Sequence, residues 1–275
     1  MSEFITILPP PGDTIAEYDP TKRSSEQSSS IPQAFLDAMS VRETVFVDEQ
    51  EVPLVNELDP DDARSWHWVV YASVGRTKTP SPTRKGSTGN AAIPNGTHEA
   101  NNINNGERRT SDSTAARVAV ATIRLVPPPH PPHPQPGSHH KTDNADAIPP
   151  VTHTRRTSLH DGHEPYIKLG RLATLKEYRG KGLSKLLVSA ALRWAMEHSV
   201  EILPPPEPAA AEAARLEGED EEDWRWRGLV LVHAQLDRTV GLWERYGFSV
   251  DERMGIWDEE GIPHIGMWRR LEVKK

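Results

Sequence analysis

The segment Gly170-Arg-Leu-Ala-Thr-Leu-Lys-Glu-Tyr-Arg-Gly-Lys-Gly-Leu-Ser184 decides the fold of this chain. It begins as an apolar strand, passes through a basic turn that contains two glycines, and opens a helix. The first N–H groups of a helix lack partners inside the helix, and the helix dipole is positive there. Gly180 and Gly182 leave the backbone open to an anion, while Arg179 and Lys181 add positive charge. The turn is therefore predicted to bind phosphate groups.

The turn differs from the two most common phosphate-binding motifs. Its residues, 179–184, have neither the longer glycine spacing of a Walker loop nor the GxGxxG fingerprint of dinucleotide-binding proteins. From the turn alone, an ordinary strand-to-helix connection with surface Arg and Lys side chains remains an alternative.

Hydrophobic periodicity predicts the other elements. After the turn, residues 182–199 form an amphipathic helix with one apolar stripe, which indicates core packing. Helical periodicity also predicts helices at 32–50 and 236–246, and Gly247 is placed to end the second of these. Apolar runs and β-branched residues predict strands at 4–8, 66–74, 117–126, 166–175, 228–235, 248–252 and 262–272.

Three stretches are too polar or too rich in proline to join a core. They are residues 76–115, 127–163 and 201–226. Such segments cannot bury enough apolar surface to offset the entropy of ordering them. We therefore expect one domain over 1–275 that carries three flexible inserts. The second insert contains several histidines, which we interpret as incidental rather than metal-binding: His130, His133, His139, His140, His153, His160 and His163.

Composition restricts the classes of function. The chain has 275 residues, a net charge of −8 and no cysteine, which excludes disulfides, thiolate metal sites and a cysteine nucleophile. No basic patch with interleaved aromatics occurs, so nucleic-acid binding is not predicted. The N-terminus lacks a signal-peptide pattern, and no apolar run approaches the length of a membrane span. We expect a cytoplasmic protein without membrane contact or a metal; a nuclear location stays open.

Four separated segments resemble, in the same order, the GCN5-related N-acetyltransferase (GNAT) superfamily. The turn is similar to that family's pyrophosphate-binding motif R/Q-x-x-G-x-G/A, with Ser184 in the last small position. The strand, helix and Gly-Phe pair of 228–248 resemble the family's next motif. Two segments resemble the ElaA-like subgroup: Asp-Glu-Glu-Gly-Ile-Pro-His-Ile-Gly-Met at 258–267, and Val-Arg-Glu-Thr-Val-Phe-Val-Asp-Glu-Gln at 41–50.

The resemblance implies a GNAT fold, an α/β arrangement with a mixed central sheet and helices on both faces. It also implies an N-acetyltransferase that moves the acetyl group of acetyl-CoA to a primary amine by direct attack in a ternary complex. The expected acceptor is a small molecule. The pyrophosphate would be held by Arg179, Gly180, Lys181, Gly182, Leu183 and Ser184, the pantetheine by Leu172, Ala173 and Thr174, and the thioester would be bordered by Ala234, Gln235 and Trp243.

The acid that protonates the thiolate is less well defined. In the family it is often a tyrosine four positions before the Gly of Gly-Phe, and here that position is Trp243. An indole N–H cannot usefully give up its proton, so Trp243 is expected to pack on the pantetheine. Tyr246 is the nearby candidate acid, and its alternative role is a core aromatic beside Gly247.

Two candidates exist for the group that accepts the amine proton. His264 has a side chain that titrates near neutrality, although it could equally be a structural histidine in the sheet. Glu49, with Glu57 and Asp59, could attract a cationic amine or act as base through water. The alternative for these three carboxylates is a solvated acidic loop.

The sequence leaves two other functions open. One is a non-catalytic acyl-CoA-binding sensor or interaction protein, which the missing tyrosine keeps alive. The other is an acetyltransferase that modifies lysine side chains or N-termini of proteins. A homodimer is compatible with the exposed edge strands expected of this fold.

Overall fold

The computed structural model describes residues 5–74, 116–140, 150–151, 153–204 and 225–273. The chain separates into two compact units, one formed by 1–72 with 119–275 and the other by 73–118. The second unit is described only at 73–74 and 116–118, where it continues two strands. The predicted insert at 76–115 lies outside the described residues. The architecture that follows is that of the first unit.

A mixed sheet forms the centre of the fold, as predicted. The strands in the described part of the chain are β1 Ile5–Leu8, β2 Trp66–Val74, β3 Ala116–Val126, β4 His139–His140, β5 Ile167–Thr174, β6 Leu229–Gln235, β7 Ser249–Val250, β8 Ile256–Glu259 and β9 Ile262–Arg270. Their order in the sheet is β1-β2-β3-β5-β6-β9-β8-β4, with β7 paired to β9. Strand β5 runs parallel to β6 and β4 parallel to β8, whereas β9 is antiparallel to β6, β7 and β8.

The helices agree with the predicted periodicity. α1, Gln33–Arg42, starts after Pro32 and continues into a π-helical turn, Glu43–Asp48, so the two together fill the helix predicted over 32–50. α2, Leu183–Glu197, follows the glycine turn, and a short α3, Ser199–Ile202, follows α2. α4, Val240–Arg245, ends before Gly247. None of the helices in the described ranges is long and apolar enough to cross a lipid bilayer.

The two faces of the sheet differ in character because side chains alternate along a strand. One face carries Leu169, Val232 and Met267, which pack against α2 and α4 in the main core. The other face carries Lys168 and His233, since Lys168 pairs with Leu231 in the β5–β6 register. This second face also presents the aromatic ring of Trp268, which lies opposite Leu231.

Residues of the second predicted insert cover this aromatic surface. His130 stacks on Tyr166 with ring centroids 4.4 Å apart, and His160 stacks on Trp268 at 5.0 Å. His133 is buried beside them and lies 2.9 Å from His160 through Nε2 and Nδ1. Three histidines of the predicted insert are therefore part of a packed layer rather than solvated, whereas His139, His153 and His163 are exposed. Tyr166 and Trp268 provide an apolar surface on which uncharged imidazoles can pack.

The cover is attached by the β4–β8 pairing, by bonds from Arg155 to the carbonyls of Arg253 and Met254, and by the carboxylate of Asp251. Asp251 accepts hydrogen bonds from the Thr157 hydroxyl at 2.5 Å and from the N–H groups of Ser158 and Leu159 at 3.0 Å each. In the third predicted insert, Ile202 and Trp226 are buried, and residues 205–224 lie outside the described residues.

The two parallel strands in the middle of the sheet pair over a short distance only. Ile167, Lys168 and Leu169 of β5 pair with residues 230–232 of β6, after which the strands diverge. On its other side β5 follows β3 with a bulge between Thr122 and Arg124. The bulge adds to the bend of β5. The divergence opens the sheet at the carboxyl ends of the parallel strands, where ligands bind in folds of this type.

Candidate active site

A cavity of about 1030 Å³ lies where β5 and β6 diverge. One end is formed by the glycine turn and the other by polar side chains from β5, β6, β8 and β9. Three predicted site residues, Lys181, Ala234 and Tyr246, do not line it. The predicted site residues that do line it are Glu49, Leu172, Ala173, Thr174, Arg179, Gly180, Gly182, Leu183, Ser184, Gln235, Trp243 and His264.

The glycine turn has the backbone that the sequence indicated. Gly180 and Gly182 have φ angles of +75° and +80°, in the left-handed region that disfavours other residues. A Cβ at either position would meet no atom within 4 Å, so the space above the turn is open. The N–H groups of residues 183–185 find no acceptor among the described residues, and the helix ladder begins with Leu186 N–H on the Gly182 carbonyl at 3.0 Å. These donors at the positive end of a 15-residue helix fit a diphosphate.

Arg179 connects the turn to two other elements. Its Nε donates to the Thr174 carbonyl at 2.9 Å, and a terminal nitrogen donates to Glu49 Oε2 at 2.6 Å. Glu49 is therefore the partner of a cation at the phosphate end of the cavity. This pairing weakens the hypothesis that Glu49 acts as the base.

Trp243 and Tyr246 occupy different places around the cavity. Trp243 is 4% exposed, lines the cavity and packs edge-on against Phe248 at 5.2 Å. The hydroxyl of Tyr246 lies 3.0 Å from Ser184 Oγ, in the first turn of α2. The tyrosine thus approaches the phosphate end of the site rather than the side chains at the opposite end.

A carboxylate–imidazole pair lies at that opposite end. The Nδ1–H of His233 donates to Glu259 Oε1 at 2.6 Å, and the indole N–H of Trp257 donates to the same oxygen at 2.7 Å. Burial tends to raise the pKa of Glu259, but the charge that His233 carries when it is protonated and the hydrogen bond from His233 outweigh it, so the pKa lies well below its usual range. Burial lowers the pKa of His233, although Glu259 opposes the effect. His233 is therefore a neutral imidazole whose Nε2 has no partner among the described residues.

Neither residue of this pair is among the site residues predicted from the sequence. His233 is two residues before Gln235, a predicted site residue, so strand alternation puts both on one face. Glu259 lies in the segment 258–267, which resembles the ElaA-like subgroup, but no sequence pattern assigns this carboxylate a role. Alternation could have identified His233, but the contact with Glu259 depends on β9 lying between β6 and β8.

His264 lies on the other side of the same carboxylate. Its Nδ1–H donates to the Ile262 carbonyl at 2.8 Å, and its Nε2 lies 3.9 Å from Glu259 Oε2. It faces Gln235 across the β6–β9 pair. Glu259 is thus flanked by two imidazoles, of which His233 makes the shorter contact.

The acidic loop near the cavity is neutralised by arginines. Asp59 accepts from Arg124 at 2.6 Å and 2.8 Å and from Arg171 at 2.9 Å, while Glu57 accepts from Arg42 at 2.5 Å. Glu57 is 1% exposed. Glu57 and Asp59 are therefore not part of a solvated acidic loop, and they are not free to attract a cationic amine. Arginines from distant parts of the sequence form ion pairs with both carboxylates. The complete network consists of Arg42, Arg124 and Arg171 with Glu57, Asp59 and Asp62.

A family profile matches the part of the chain that contains the glycine turn. This profile, described as "Acetyltransferase (GNAT) family", matches residues 119–216, which include most of β3, β5, the glycine turn and α2. No curated protein matches the chain. Among solved structures, an acyl-CoA N-acyltransferase from Pseudomonas aeruginosa is 18% identical, with coverage of 96% of this chain and 97% of that chain and a TM-score of 0.41. ElaA from Escherichia coli is 16% identical, with coverage of 90% and 95% and a TM-score of 0.41.

Proposed function

We propose that the chain is a GNAT-type acetyltransferase, in line with the profile match over residues 119–216, and that it transfers the acetyl group of acetyl-CoA to the primary amine of a small molecule. One observation carries this proposal. A single cavity joins the unpaired N–H groups at the start of α2 to the Glu259–His233 pair. The first group suits the diphosphate of coenzyme A, and the second suits an amine that must lose a proton.

Backbone donors would bind both the diphosphate and the thioester. The turn supplies N–H groups and the positive charge of Arg179 at one end. In β5, Ala173 pairs with Thr122 and the Leu175 N–H donates to the Val120 carbonyl, so the N–H group of Thr174 points away from β3. That direction is toward the side where β6 has diverged. The N–H groups of Leu172, at the bulge, and Thr174 are our candidates for stabilising the oxyanion that forms when the thioester carbonyl is attacked.

His233 supplies the base in this proposal. A primary amine has a pKa of about 10 and arrives protonated, whereas the reacting species is the neutral amine. His233 Nε2 accepts the proton, and Glu259 stabilises the resulting imidazolium through the Nδ1 hydrogen bond. The amine nitrogen then bonds to the carbonyl carbon, the carbon–sulfur bond breaks, and the second proton lost by the nitrogen passes to the released thiolate. The thiolate, whose conjugate acid has a pKa of about 8.5, can leave without a strong acid beside it.

His264, the base predicted from sequence, has a supporting position here. Its Nε2 is 3.9 Å from Glu259, so a charge on His264 would act on the carboxylate that holds His233. The hydroxyl of Tyr246, the predicted acid, contacts Ser184 at the glycine turn, and Tyr246 does not line the cavity. We therefore assign proton transfer first to His233 and keep His264 as the competing candidate.

The cover over the amine end supports a small acceptor. His130, His133 and neighbouring prolines of the 127–163 segment line the cavity there. A covered acceptor pocket suits a compact amine better than a lysine presented on a folded protein surface. A protein acceptor and a non-catalytic sensor remain the alternatives, and we retain from the sequence the expectations of a cytoplasmic enzyme and a homodimer.

Calorimetric titration with acetyl-CoA, followed by thioester consumption in the presence of mixed small amines, tests the proposal. We expect binding and amine-dependent release of coenzyme A. Binding without turnover would favour the sensor. Turnover with lysine-containing peptides but with no small amine would favour a protein acceptor. No binding at high micromolar acetyl-CoA would reject the assigned site.

A further inference from the structure

Lys168 is a basic side chain that lines the cavity. It is half-buried in β5, and its ammonium group makes no direct ion pair or hydrogen bond with the residues that the structure describes, although its charge acts on Glu259 and His233. The arginines that line the same end are all engaged. Arg64 donates to the carbonyls of Pro127 and Pro129, while Arg124 and Arg171 bind Asp59.

The strand register places Lys168 close to the base. Lys168 is level with Leu231 in the parallel β5–β6 pair, and His233 is two residues further along the same face. Burial lowers the pKa of His233 and raises that of Glu259, and the charge of Lys168 lowers both pKa values, which places the ammonium group near this pair. The positive charge of Lys168 also acts at this end, since burial and then Lys168 lower the pKa of the neighbouring His130. The cavity therefore presents an ammonium group beside an anionic Glu259 on one face of the sheet.

We infer that the acceptor is a small amine that also carries a carboxylate, as amino acids do. Lys168 would bind the carboxylate, while His233 and Glu259 receive the ammonium end. The inference deepens the proposed function and rests on it. A second ammonium in place of the carboxylate would be repelled by Lys168, and a plain amine would leave the lysine unpaired.

Matched acceptors test this inference. Glycine, alanine, 3-aminopropanoate and 4-aminobutanoate are each compared with the amine that lacks the carboxylate, and 1,4-diaminobutane is included. Release of coenzyme A gives kcat/KM for each. For the best-fitting pair we expect a preference for the carboxylate of about tenfold or more, equivalent to about 1.4 kcal/mol, with the diamine poorest. A wild-type preference for the diamine, or equal use of both members of every pair, would overturn the inference.

Variants of Lys168 identify the group responsible. Lys168→Met should reduce the ratio within each pair to about one, Lys168→Arg should keep part of it, and Lys168→Glu should shift the preference to the diamine. Lys22, an exposed lysine paired with Asp19, provides the control, because Lys22→Met should keep the full ratio. An unchanged ratio in Lys168→Met would reject the role of Lys168.

A binding measurement separates this inference from the proposed function. N-acetyl amino acids and N-acetyl alkylamines, the corresponding products, are titrated into the protein loaded with coenzyme A. Preferential binding of the carboxylated products without any turnover would reject the enzyme but support the carboxylate site. Turnover in which neither the kinetic comparison nor the product titration shows a preference for carboxylated compounds would support the enzyme and reject the carboxylate site.

Discussion

The Nδ1 atom of His233 lies 2.6 Å from Oε1 of Glu259, and both residues line the cavity. This hydrogen bond fixes the tautomer of the imidazole and leaves its Nε2 as a lone-pair acceptor. It also places an anion where a positive charge develops during proton transfer. The pair therefore has both features expected of a base that operates on an ammonium ion.

Replacing His233 should reduce turnover far more than cofactor binding. We expect His233→Gln to lower kcat by about 10²–10⁴-fold, the usual contribution of a general base. His264→Gln should cost less, and His139→Gln, at an exposed site outside the cavity, should serve as the control. Steady-state kinetics with a titration of acetyl-CoA checks this, and a larger loss in His264→Gln would make His264 the base.

The pH profile gives a second test of the same pair. Because burial lowers the pKa of His233, the acid limb of kcat/KM should lie below the ordinary histidine pKa of about 6.5. Glu259 raises the pKa of His233, so Glu259→Gln should move the limb to still lower pH and reduce the plateau. A limb that stays in place in both His233 and Glu259 variants would assign it to another group.

Charge at the glycine turn should control cofactor affinity. Gly182→Asp puts a carboxylate where the diphosphate is proposed to bind, whereas Gly182→Asn has nearly the same shape without the charge. Both residues tolerate a positive φ better than most, and neither Cβ would meet an atom within 4 Å. Calorimetry should therefore show loss of acetyl-CoA binding in the Asp variant and a much smaller change in the Asn variant. Equal affinities would reject this turn as the phosphate site.

Removing a buried arginine should destabilise the fold. Arg42→Met removes a close partner of both Glu57 and Asp62 in the core and leaves them only Arg171 and Arg124, respectively. Breaking comparable buried pairs costs about 3–5 kcal/mol. Arg23, whose side chain is 38% exposed, pairs with Asp48, and Arg23→Met should cost less than about 1 kcal/mol. Denaturant unfolding of the two variants measures the difference, and similar losses would contradict the assigned importance of burial.

Stability should fall as the solution is acidified below neutrality. Burial lowers the pKa of His67 to about 4, against an ordinary value of about 6.5, so the unfolded chain binds the proton more strongly. Between these values stability decreases by up to about 1.4 kcal/mol per pH unit from this residue. His67→Gln should flatten the pH dependence of the unfolding free energy, and His139→Gln should not. A curve of unchanged slope in His67→Gln would show that the residue does not titrate in this way.

Local signals predicted most of the fold. The strand, glycine turn and helix of 166–199 follow from periodicity and helix-start chemistry, and the observed α2 differs from its predicted bounds by one or two residues. The backbone of the glycine turn was predictable for the same reason, since Arg179 to Ser184 are contiguous, and its binding of phosphate stays a prediction.

The amine end depends on contacts that sequence patterns do not contain. His233 meets Glu259 across β9, and Asp59 meets Arg124 and Arg171 from two other strands. The burial of His160 likewise needs Trp268, far along the chain, as its partner. The local sequence predicts that such polar residues are solvated, because the groups that neutralise or cover them lie far away in the sequence.

The attachment of the cover through Asp251 has an evolutionary consequence. Its anchor, at Thr157, Ser158 and Leu159, uses none of the atoms that hold the proposed base or the diphosphate turn. Substitutions at His130 and His133 of the covering segment, which line the pocket, can therefore reshape it for a different acceptor, whereas changes at His140 also bear on Glu259 through the β4–β8 pairing. New substrate preferences should arise in homologues by exchange of this one segment.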